Sequence, residues 1–244
     1  MKCLRNLNKL KLALITGATK GIGRSTAISF ANAGWDLILL SRNLVMLEAL
    51  KKELSNTKSK IYPINCDLSN PNDIDNSLKS LITDFGCPSV LINNAGYAFN
   101  GDLVEMPLEE WQRILQINLS SVFQICGLIV PKMRKNGGLI INISSHAAYN
   151  AFPQWGAYCV SKAALASYTK CLREEERSNS IRACTITLGS VNTPLWDSET
   201  INSDFDRNLM LSANEVSKTI LFIAEQPKSQ LIEDLTLMPA GGAF

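Results

Sequence analysis

The sequence predicts an α/β fold in which a doubly wound sheet of seven mostly parallel strands carries helices on both faces. Two observations predict this class. Short apolar runs recur between longer amphipathic segments, and nearly all of these runs are continuous rather than alternating, which is typical of strands buried on both faces. Strands that alternate with helices form parallel sheets, and right-handed crossovers then distribute the helices over both faces.

The predicted elements alternate regularly along the chain. The strands are the apolar runs 12–16, 36–41, 60–66, 89–94, 139–144, 182–188 and 235–239. The helices are the amphipathic segments at about 21–33, 43–55, 71–85, 108–135, 156–178 and 213–226. The stretch LSNPND offers a cap and a first-turn proline for the third helix, while Gly34 and Gly137–Gly138 close other helices.

We expect residues 1–244 to form one domain, because no proline- or serine-rich linker divides the chain and no internal repeat is visible. The weakest periodicity falls at about 194–212, which we interpret as a mobile substrate loop or lid. Hydrophobic residues make up 46% and charged residues 19% of the chain. This balance supports a sizeable buried core.

Charge and cysteine usage exclude some partners and compartments. The net charge is only +2, which does not suggest a nucleic-acid or anionic-membrane partner. The most apolar long segment, 117–130, contains several polar residues and is predicted not to span a bilayer. Seven cysteines without a C-x-x-C pair fit a reducing compartment. We therefore expect a soluble cytoplasmic protein.

A glycine-rich stretch, ALITGATKGIGRSTAISFANAG, leads from the first strand through a turn into the first helix. The spacing of Gly17, Gly21 and Gly23 allows a tight turn, close approach to a pyrophosphate and N–H groups facing the anion. A turn that needs glycine only for positive φ would show the same residues. The position directly after the first strand favours a dinucleotide site. The other turn residues that we assign to the cofactor are Thr19, Lys20 and Ile22.

The end of the second strand distinguishes between the two nicotinamide dinucleotides. An acidic residue there would bond the ribose 2′-hydroxyl and favour NAD. This chain has Ser41 and Arg42 instead, and Lys20 lies nearby in the turn. Two cations and a hydroxyl suit a 2′-phosphate. Although Arg42 could be an ordinary exposed cation at a helix entry, the sequence favours NADP(H) over NAD(H).

With that turn, the motifs NNAG (93–96), INISS (141–145) and YCVSK (158–162) make the chain resemble the short-chain dehydrogenase/reductase family from about Leu12 to the C-terminus. The resemblance implies a Rossmann-type fold and an oxidoreductase. It also implies that Asp67 and Leu68 lie at the adenine and that Asn118 holds a water in a proton relay to a lysine. The further cofactor contacts that it implies are Asn94, Ala95, Gly96, Val191 and Thr193.

Tyr158 and Lys162 are four residues apart, so they lie on one helical face. A tyrosine has an ordinary pKa of about 10, and a nearby cation or an oxidised nicotinamide favours its phenolate. Tyr158 could then exchange a proton with a carbonyl or alcohol oxygen. Ser145 precedes Tyr158 by the 13 residues typical of the family, and the resemblance implies that it orients this oxygen. Lys162 would also bond the nicotinamide ribose.

The single histidine and several aromatic residues allow two interpretations each. His146 adjoins Ser145, but successive strand residues point in opposite directions, which would turn His146 away unless the loop bends. We do not expect it to be catalytic, and its role is open. Some aromatic side chains flank the proposed site and could line an apolar substrate pocket or belong to the core; they are Tyr149, Phe152, Trp155 and Trp196.

The leading hypothesis is a metal-independent, NADP(H)-dependent carbonyl reductase or alcohol dehydrogenase acting on a small molecule. Its catalytic residues would be Asn118, Ser145, Tyr158 and Lys162. The alternative is a non-catalytic NADP-binding regulator on the same fold, which would have no need of the intact serine, tyrosine and lysine. The helices at 108–135 and 156–178 resemble the pair that forms the family's oligomer contacts, so we expect a homodimer or homotetramer.

Overall fold

A computed structural model describes residues 11–79, 81–202 and 205–242. Its strands are β1 (Leu12–Thr16), β2 (Asp36–Ser41), β3 (Ile61–Asn65), β4 (Val90–Asn93), β5 (Gly138–Ser145), β6 (Ile181–Leu188), β7 (Val191–Asn192), β8 (Leu211–Ser212) and β9 (Asp234–Leu237). Seven of these strands form one sheet in the order β3-β2-β1-β4-β5-β6-β9, and all neighbours pair in parallel. The predicted fold class is confirmed.

Helices cover both faces of this sheet and enclose two apolar cores. One core holds side chains from α1, α2 and α8. The other core holds side chains from α3, α4, α6 and α7. The helices are α1 (Gly21–Asn32), α2 (Leu44–Glu53), α3 (Pro71–Leu78), α4 (Leu81–Phe85), α5 (Leu108–Leu115), α6 (Ser121–Met133), α7 (Gly156–Glu176) and α8 (Ala213–Ala224).

The strand order reverses at β1, because β2 and β3 lie on one side of it and β4, β5 and β6 on the other. In doubly wound sheets, ligands bind in the crevice beyond the carboxyl ends of the strands at such a switch point. The turns that follow β1, β4 and β5 therefore meet at one edge of the sheet.

The structure differs from the predicted elements in three places. The segment predicted as one helix at 108–135 contains a π-helical stretch, Gln116–Ser120, between α5 and α6. The segment predicted as a helix at 71–85 forms α3 and α4, and residue 80 between them lies outside the described residues. Two short strands, β7 (Val191–Asn192) and β8 (Leu211–Ser212), pair within the segment around the predicted substrate loop. Residues 203 and 204 of that loop lie outside the described part of the chain.

Helix ends follow the local sequence signals. Asn70 accepts a hydrogen bond from the Asn72 backbone N–H at 3.0 Å, with Pro71 at the first helical position. Ser212 and Glu215 cap α8 reciprocally, so two N–H groups at its start are satisfied. Gly34 adopts φ +76° after α1, a conformation that favours glycine.

One stretch of helix, Leu108–Met133, is long and apolar enough to span a bilayer by length and composition alone. Half of its most apolar window is buried in the fold. Ile125 and Ile129 are fully buried against the sheet. Core helices of globular proteins pass the same test of composition, and the packing of this helix fits that class.

Candidate active site

A cavity of about 780 Å³ opens beyond the carboxyl ends of the central strands. It brings together residues from the turns after β1, β2, β3, β4, β5 and β6. The predicted site residues that line it are Gly17, Thr19, Lys20, Gly21, Ile22, Ser41, Arg42, Asp67, Leu68, Asn94, Ala95, Gly96, Ser145, Tyr158, Lys162, Val191 and Thr193. Gly23 and Asn118 are not among the lining residues. The roles assigned to these residues stay predictions.

The glycine turn needs its glycines for two different reasons. Gly17 and Gly21 adopt φ values of +66° and +50°, which side chains disfavour. A Cβ at Gly17 would also lie 2.9 Å from the Ala95 Cα. Gly23 has another role: a Cβ there would overlap the carbonyl oxygen of Gly17, so this glycine lets α1 pack against the turn. The cavity floor is thus bare backbone at the start of a helix.

Thr16 and Asn94 hold the turns after β1 and β4 together. The Thr16 hydroxyl accepts hydrogen bonds from the backbone N–H groups of Asn94 and Ala95, both at 3.0 Å. The Asn94 side-chain amide donates to the Thr16 carbonyl at 2.9 Å and to the Gly17 carbonyl at 3.3 Å. The amide therefore fixes the glycine turn from the neighbouring strand, a contact that the sequence motif alone does not specify.

Cations gather at the end of the cavity formed by the turns after β1 and β2. Lys20 and Arg42 are exposed there, and neither forms an ion pair with another described residue. The hydroxyls of Thr19 and Ser41 lie 3.2 Å apart and join the two turns. This end of the cavity can accept an anionic group.

Asp67 follows β3 and carries a carboxylate at the same end of the cavity. Burial acts to raise its pKa, but hydrogen bonds from the backbone and hydroxyl of Ser69, together with the charge of Arg42, lower the pKa overall. The two bonds from Ser69 reach Oδ1 at 2.9 and 2.8 Å. Asp67 is therefore ionised at neutral pH.

Tyr158, Lys162 and Ser145 meet at the other end of the cavity. The Lys162 Nζ lies 5.6 Å from the centre of the Tyr158 ring, because the two side chains are one turn apart on α7. Lys162 is only 4% exposed, and its Nζ donates to the Ile143 carbonyl at 2.9 Å. Ser145 ends β5, and its hydroxyl accepts a hydrogen bond from the Ala147 backbone N–H at 3.2 Å.

Burial dominates the proton affinities of this cluster. It raises the pKa of Tyr158 to about 12, although the Ser145 hydroxyl opposes the change by stabilising the phenolate. Burial also lowers the pKa of Lys162 to about 8. In the protein without its cofactor the net shift is therefore upward, opposite to the shift that a nearby cation favours, and the contribution of an oxidised nicotinamide stays a prediction. At neutral pH, Tyr158 holds its proton.

Asn118 lies behind the cavity, in the π-helical stretch. Its side chain accepts from the Tyr97 backbone N–H at 2.8 Å and donates to the Tyr97 carbonyl at 2.9 Å. It also donates to the Ser161 hydroxyl at 2.9 Å. A Cβ placed on Gly96 would lie 3.7 Å from the Asn118 Oδ1 and 3.8 Å from the Lys162 Nζ. The two polar atoms thus flank one small space beside Gly96.

The structure shows which of the aromatic residues, and whether His146, line the cavity. His146 lines the cavity beside Ser145, so the alternative in which the loop bends is the one that the structure shows. The chain bends into a 3₁₀ turn, His146–Ala148, directly after β5, and strand alternation does not apply there. Phe152, Trp155 and Trp196 line the cavity. Tyr149 does not line it and is 56% exposed.

Sequence reasoning missed residues that hold the predicted loop in place. Arg207 donates to Asp197 at 2.9 Å and to the Thr193 carbonyl at 2.8 Å. Thr200 donates to the Ala98 carbonyl at 2.8 Å. Phe205 lines the cavity from the same loop. The sequence offered no signal for these contacts, because each joins residues far apart in the chain or within an irregular segment.

The sheet is doubly wound, and the glycine turn lies at its switch point. A serine, a tyrosine and a lysine lie at the far end of the same cavity. This is the arrangement of a dinucleotide-dependent oxidoreductase. The comparison with known families agrees. The family model of the short chain dehydrogenases matches residues 11–204. This chain therefore belongs to the short-chain dehydrogenase/reductase family, whose members act on CH–OH or carbonyl groups.

Several relatives share most of their length with this chain. A 3-oxoacyl-[acyl-carrier-protein] reductase of Thermotoga maritima is 30% identical over 226 residues, which cover 90% of this chain and 92% of the relative. A serine 3-dehydrogenase of Rhizobium radiobacter is 30% identical over 238 residues, covering 95% and 94%. The L-sorbose reductase of Gluconobacter frateurii, solved with NADPH and L-sorbose, has a TM-score of 0.85 at 26% identity and covers 94% of this chain and 95% of its own.

Proposed function

We propose that this protein reduces a ketone or aldehyde with NADPH and oxidises the corresponding alcohol with NADP⁺ in reverse. One observation carries the proposal: the Ser145, Tyr158 and Lys162 side chains share a cavity with a glycine cradle and two exposed cations. The cavity joins an anion-binding end to a proton-donating end, as the reaction requires.

The preference for NADP(H) rests on the anion-binding end. β2 ends at Ser41 and is followed by Arg42, where an NAD-dependent enzyme carries an acidic residue. Lys20 and Arg42 are exposed at the rim, and no ion pair with a described residue occupies them. A ribose 2′-phosphate would satisfy both cations, whereas an unmodified ribose would leave their charges unused. The structure of L-sorbose reductase with NADPH supports the same preference by analogy.

The remaining cofactor contacts are those that the family resemblance implies, and all of them line the cavity. Asp67 and Leu68 would hold the adenine, and Asn94, Ala95 and Gly96 would lie along the adenosine ribose. Val191 and Thr193, after β6, would seat the nicotinamide. The pyrophosphate would lie against the glycine turn, because the turn presents bare backbone at Gly17 and Gly21 and leads into the N-terminus of α1.

The chain's own residues would hold and move the proton. A bound reduced nicotinamide supplies a hydride to the carbonyl carbon. The Ser145 hydroxyl would hydrogen-bond the carbonyl oxygen and orient it. Tyr158, with a pKa raised to about 12, is protonated at neutral pH and would donate its proton to that oxygen as negative charge develops. A protonated tyrosine favours the reducing direction.

Lys162 and Asn118 would support this step. The Lys162 ammonium would bond the nicotinamide ribose and stabilise the Tyr158 phenolate after proton transfer. Asn118 and Lys162 flank the space beside Gly96. A water in that space would connect the lysine to the Asn118 side chain and return a proton towards Tyr158. In this scheme Asn118 acts through Lys162 and is a positioning residue.

Assembly and location complete the proposal. Apolar side chains are exposed on the outer surface of the α5–α6 and α7 region, where Phe123 is 66%, Leu108 63% and Val160 43% exposed. A second copy of the chain would cover such side chains, so we expect a homodimer or homotetramer by light scattering. We also propose that the chain forms one continuous domain and is located in the cytoplasm. The six free cysteines of the described residues fit such a reducing compartment.

Oxidation of NADPH in the presence of a panel of ketones and aldehydes tests the proposed activity, with NADH as the parallel cofactor. We expect turnover of some member of the panel with NADPH. The Tyr158→Phe variant should lose this turnover, and the control variant Tyr149→Phe should keep it because Tyr149 does not line the cavity. Equal turnover by wild type and Tyr158→Phe would contradict the mechanism.

A further inference from the structure

The rings of four aromatic side chains form a continuous row that begins at the proposed proton donor. The Trp155 ring lies 5.5 Å from Tyr158 in an edge-to-face contact. Trp196 lies 5.6 Å from Trp155, and Phe205 lies 5.5 Å from Trp196. Trp155, Trp196 and Phe205 all line the cavity. The row therefore forms one apolar wall running from the reacting atoms into the predicted substrate loop.

This wall is held in place from outside the cavity. The Trp196 indole N–H donates to the Val191 carbonyl at 2.8 Å, so its polar atom is satisfied within the loop and its rings present carbon to the cavity. The loop itself is fixed to the segment after β4 by the Thr200 hydroxyl on the Ala98 carbonyl and by the Asn100 N–H on the Thr200 carbonyl, both at 2.8 Å. The wall is preorganised.

Charged side chains of the cavity lie elsewhere or are already paired. Arg42 follows β2, which is three strands from β5, or about 14 Å at the usual strand spacing, and Lys20 follows β1, which is two strands from β5, or about 10 Å. Lys162 lies beneath Tyr158 and donates to the Ile143 carbonyl. Asp197 forms an ion pair with Arg207 at 2.9 Å. A carboxylate or phosphate held against Trp155 and Trp196 would thus face no lysine or arginine without a hydrogen-bond partner on β5, on α7 or in the loop after β6, among the lining residues that the structure describes, and burying an unpaired charge is costly.

We propose that the substrate is an uncharged carbonyl compound whose aromatic ring packs against Trp155 and Trp196 while its carbonyl oxygen lies between Ser145 and Tyr158. This inference rests on the proposed function and adds a substrate class to it. Aromatic rings pack edge to face or offset against such a wall, and an aryl group gains more from these contacts than a polar chain of equal size. Trp196 is then a specificity-determining residue.

A set of ketones matched in size separates this inference from its rivals. With NADPH, kcat/KM would be measured for an aryl methyl ketone, cyclohexyl methyl ketone, the aryl 2-oxo acid with the same ring, and a ketohexose. We expect the aryl methyl ketone to exceed the 2-oxo acid and the sugar by at least about tenfold, since those two bring a charge or several hydroxyls to an apolar wall. Preference for the acid or the sugar would overturn the inference and leave the reductase activity intact.

Substitutions in the aromatic wall test whether Trp196 recognises the aryl group. Trp196→Ala should lower kcat/KM for the aryl ketone by about tenfold, the size of one good aromatic contact. Trp196→Phe keeps a ring and should restore most of the loss, which separates recognition from misfolding. Tyr149→Ala is the matched control, because Tyr149 is 56% exposed and does not line the cavity. An unchanged preference for the aryl ketone in Trp196→Ala would contradict the assignment.

A binding measurement tests the wall without turnover. Titration with the aryl methyl ketone should quench the intrinsic tryptophan fluorescence of the wild type saturably, because two tryptophans line the cavity. Tyr158→Phe should quench equally, and Trp196→Ala should quench less. Saturable quenching without reduction of any ketone would overturn the proposed function and support the aromatic site. Reduction of ketones without saturable quenching would overturn the aromatic site alone.

Discussion

Replacing Lys162 with methionine should make the protein more stable and less active at neutral pH. The side chain is 4% exposed, and its Nζ has one protein partner among the described residues, the Ile143 carbonyl at 2.9 Å. A methionine keeps the apolar stem and removes the buried ammonium. Activity should fall because the proposed contact with the nicotinamide ribose and the support of the Tyr158 phenolate are both lost.

The pKa of Lys162 sets the size of the gain in stability. Burial lowers this pKa from 10.5 to about 8. At about 1.4 kcal/mol per pH unit, keeping the ammonium buried below pH 8 costs on the order of 3 kcal/mol. In the methionine variant the Ile143 carbonyl loses its hydrogen-bond donor, which reduces the gain in stability by about 1–2 kcal/mol. Lys162→Met should therefore raise the free energy of unfolding at pH 7 by about 1–2 kcal/mol.

The dependence on pH identifies the cause. Because the folded-state pKa lies below the unfolded one, the unfolded chain binds more protons at Lys162 between pH 8 and 10.5, and this group stabilises the wild type as the pH rises through that window. The advantage of the methionine variant should shrink there in urea denaturation. Lys170→Met, on the exposed side of α7, should show no such trend. A variant less stable at pH 7, or a stability difference constant with pH, would refute the reasoning.

Three further outcomes can be measured separately. Arg42→Gln should raise KM for NADPH by about tenfold or more, as expected for a lost charge-assisted bond, and leave KM for NADH nearly unchanged; equal changes for both would exclude a role at the 2′-phosphate. Gly23→Ala should lower the melting temperature, because its Cβ overlaps the Gly17 carbonyl and overpacking costs about 1–3 kcal/mol. Gly127→Ala in α6 has open space around it and should be neutral or stabilising by up to about 1 kcal/mol, and the reverse order of the two variants would refute the packing argument. The kcat/KM for reduction should be flat below pH 8 and fall above it as Lys162 loses its proton, whereas a fall only near pH 12 would assign the profile to Tyr158.

The fold could be predicted from the sequence because its central strands are buried on both faces. Continuous apolar runs such as 36–41 have few alternative structures, and every side chain of Leu37–Leu40 is fully buried. The glycine turn was accessible for a similar reason. Positive φ at Gly17 and Gly21 leaves few other residues possible, so the pattern itself carries the geometry.

Local departures from regular structure could not be predicted from the sequence in the same way. The π-helical stretch Gln116–Ser120 keeps the apolar periodicity of its neighbours, so one long helix was predicted. The orientation of His146 was left open for a similar reason, since alternation along β5 ends at the 3₁₀ turn. Both features depend on tertiary contacts, such as the Asn118 side chain on the Tyr97 backbone.

The proton affinities of the site also lay beyond the sequence. Spacing put Tyr158 and Lys162 on one face of α7, and a cation near a phenol suggested a lowered tyrosine pKa. Burial has the opposite effect and raises the pKa of Tyr158 to about 12. Depth of burial depends on how β5, α7 and the aromatic wall pack together, and a single sequence does not specify that packing.

The most direct test of the central claim is the rate of NADPH oxidation by wild type, Ser145→Ala and Tyr158→Phe with a ketone that the wild type reduces. Both variants should bind NADPH as the wild type does, measured by the fluorescence of the bound nucleotide. We predict that kcat falls at least about a hundredfold in Tyr158→Phe, since general acid catalysis contributes about 10²–10⁴. If Tyr158→Phe binds NADPH normally and reduces the ketone at the wild-type rate, the assignment of Tyr158 as the proton donor is contradicted.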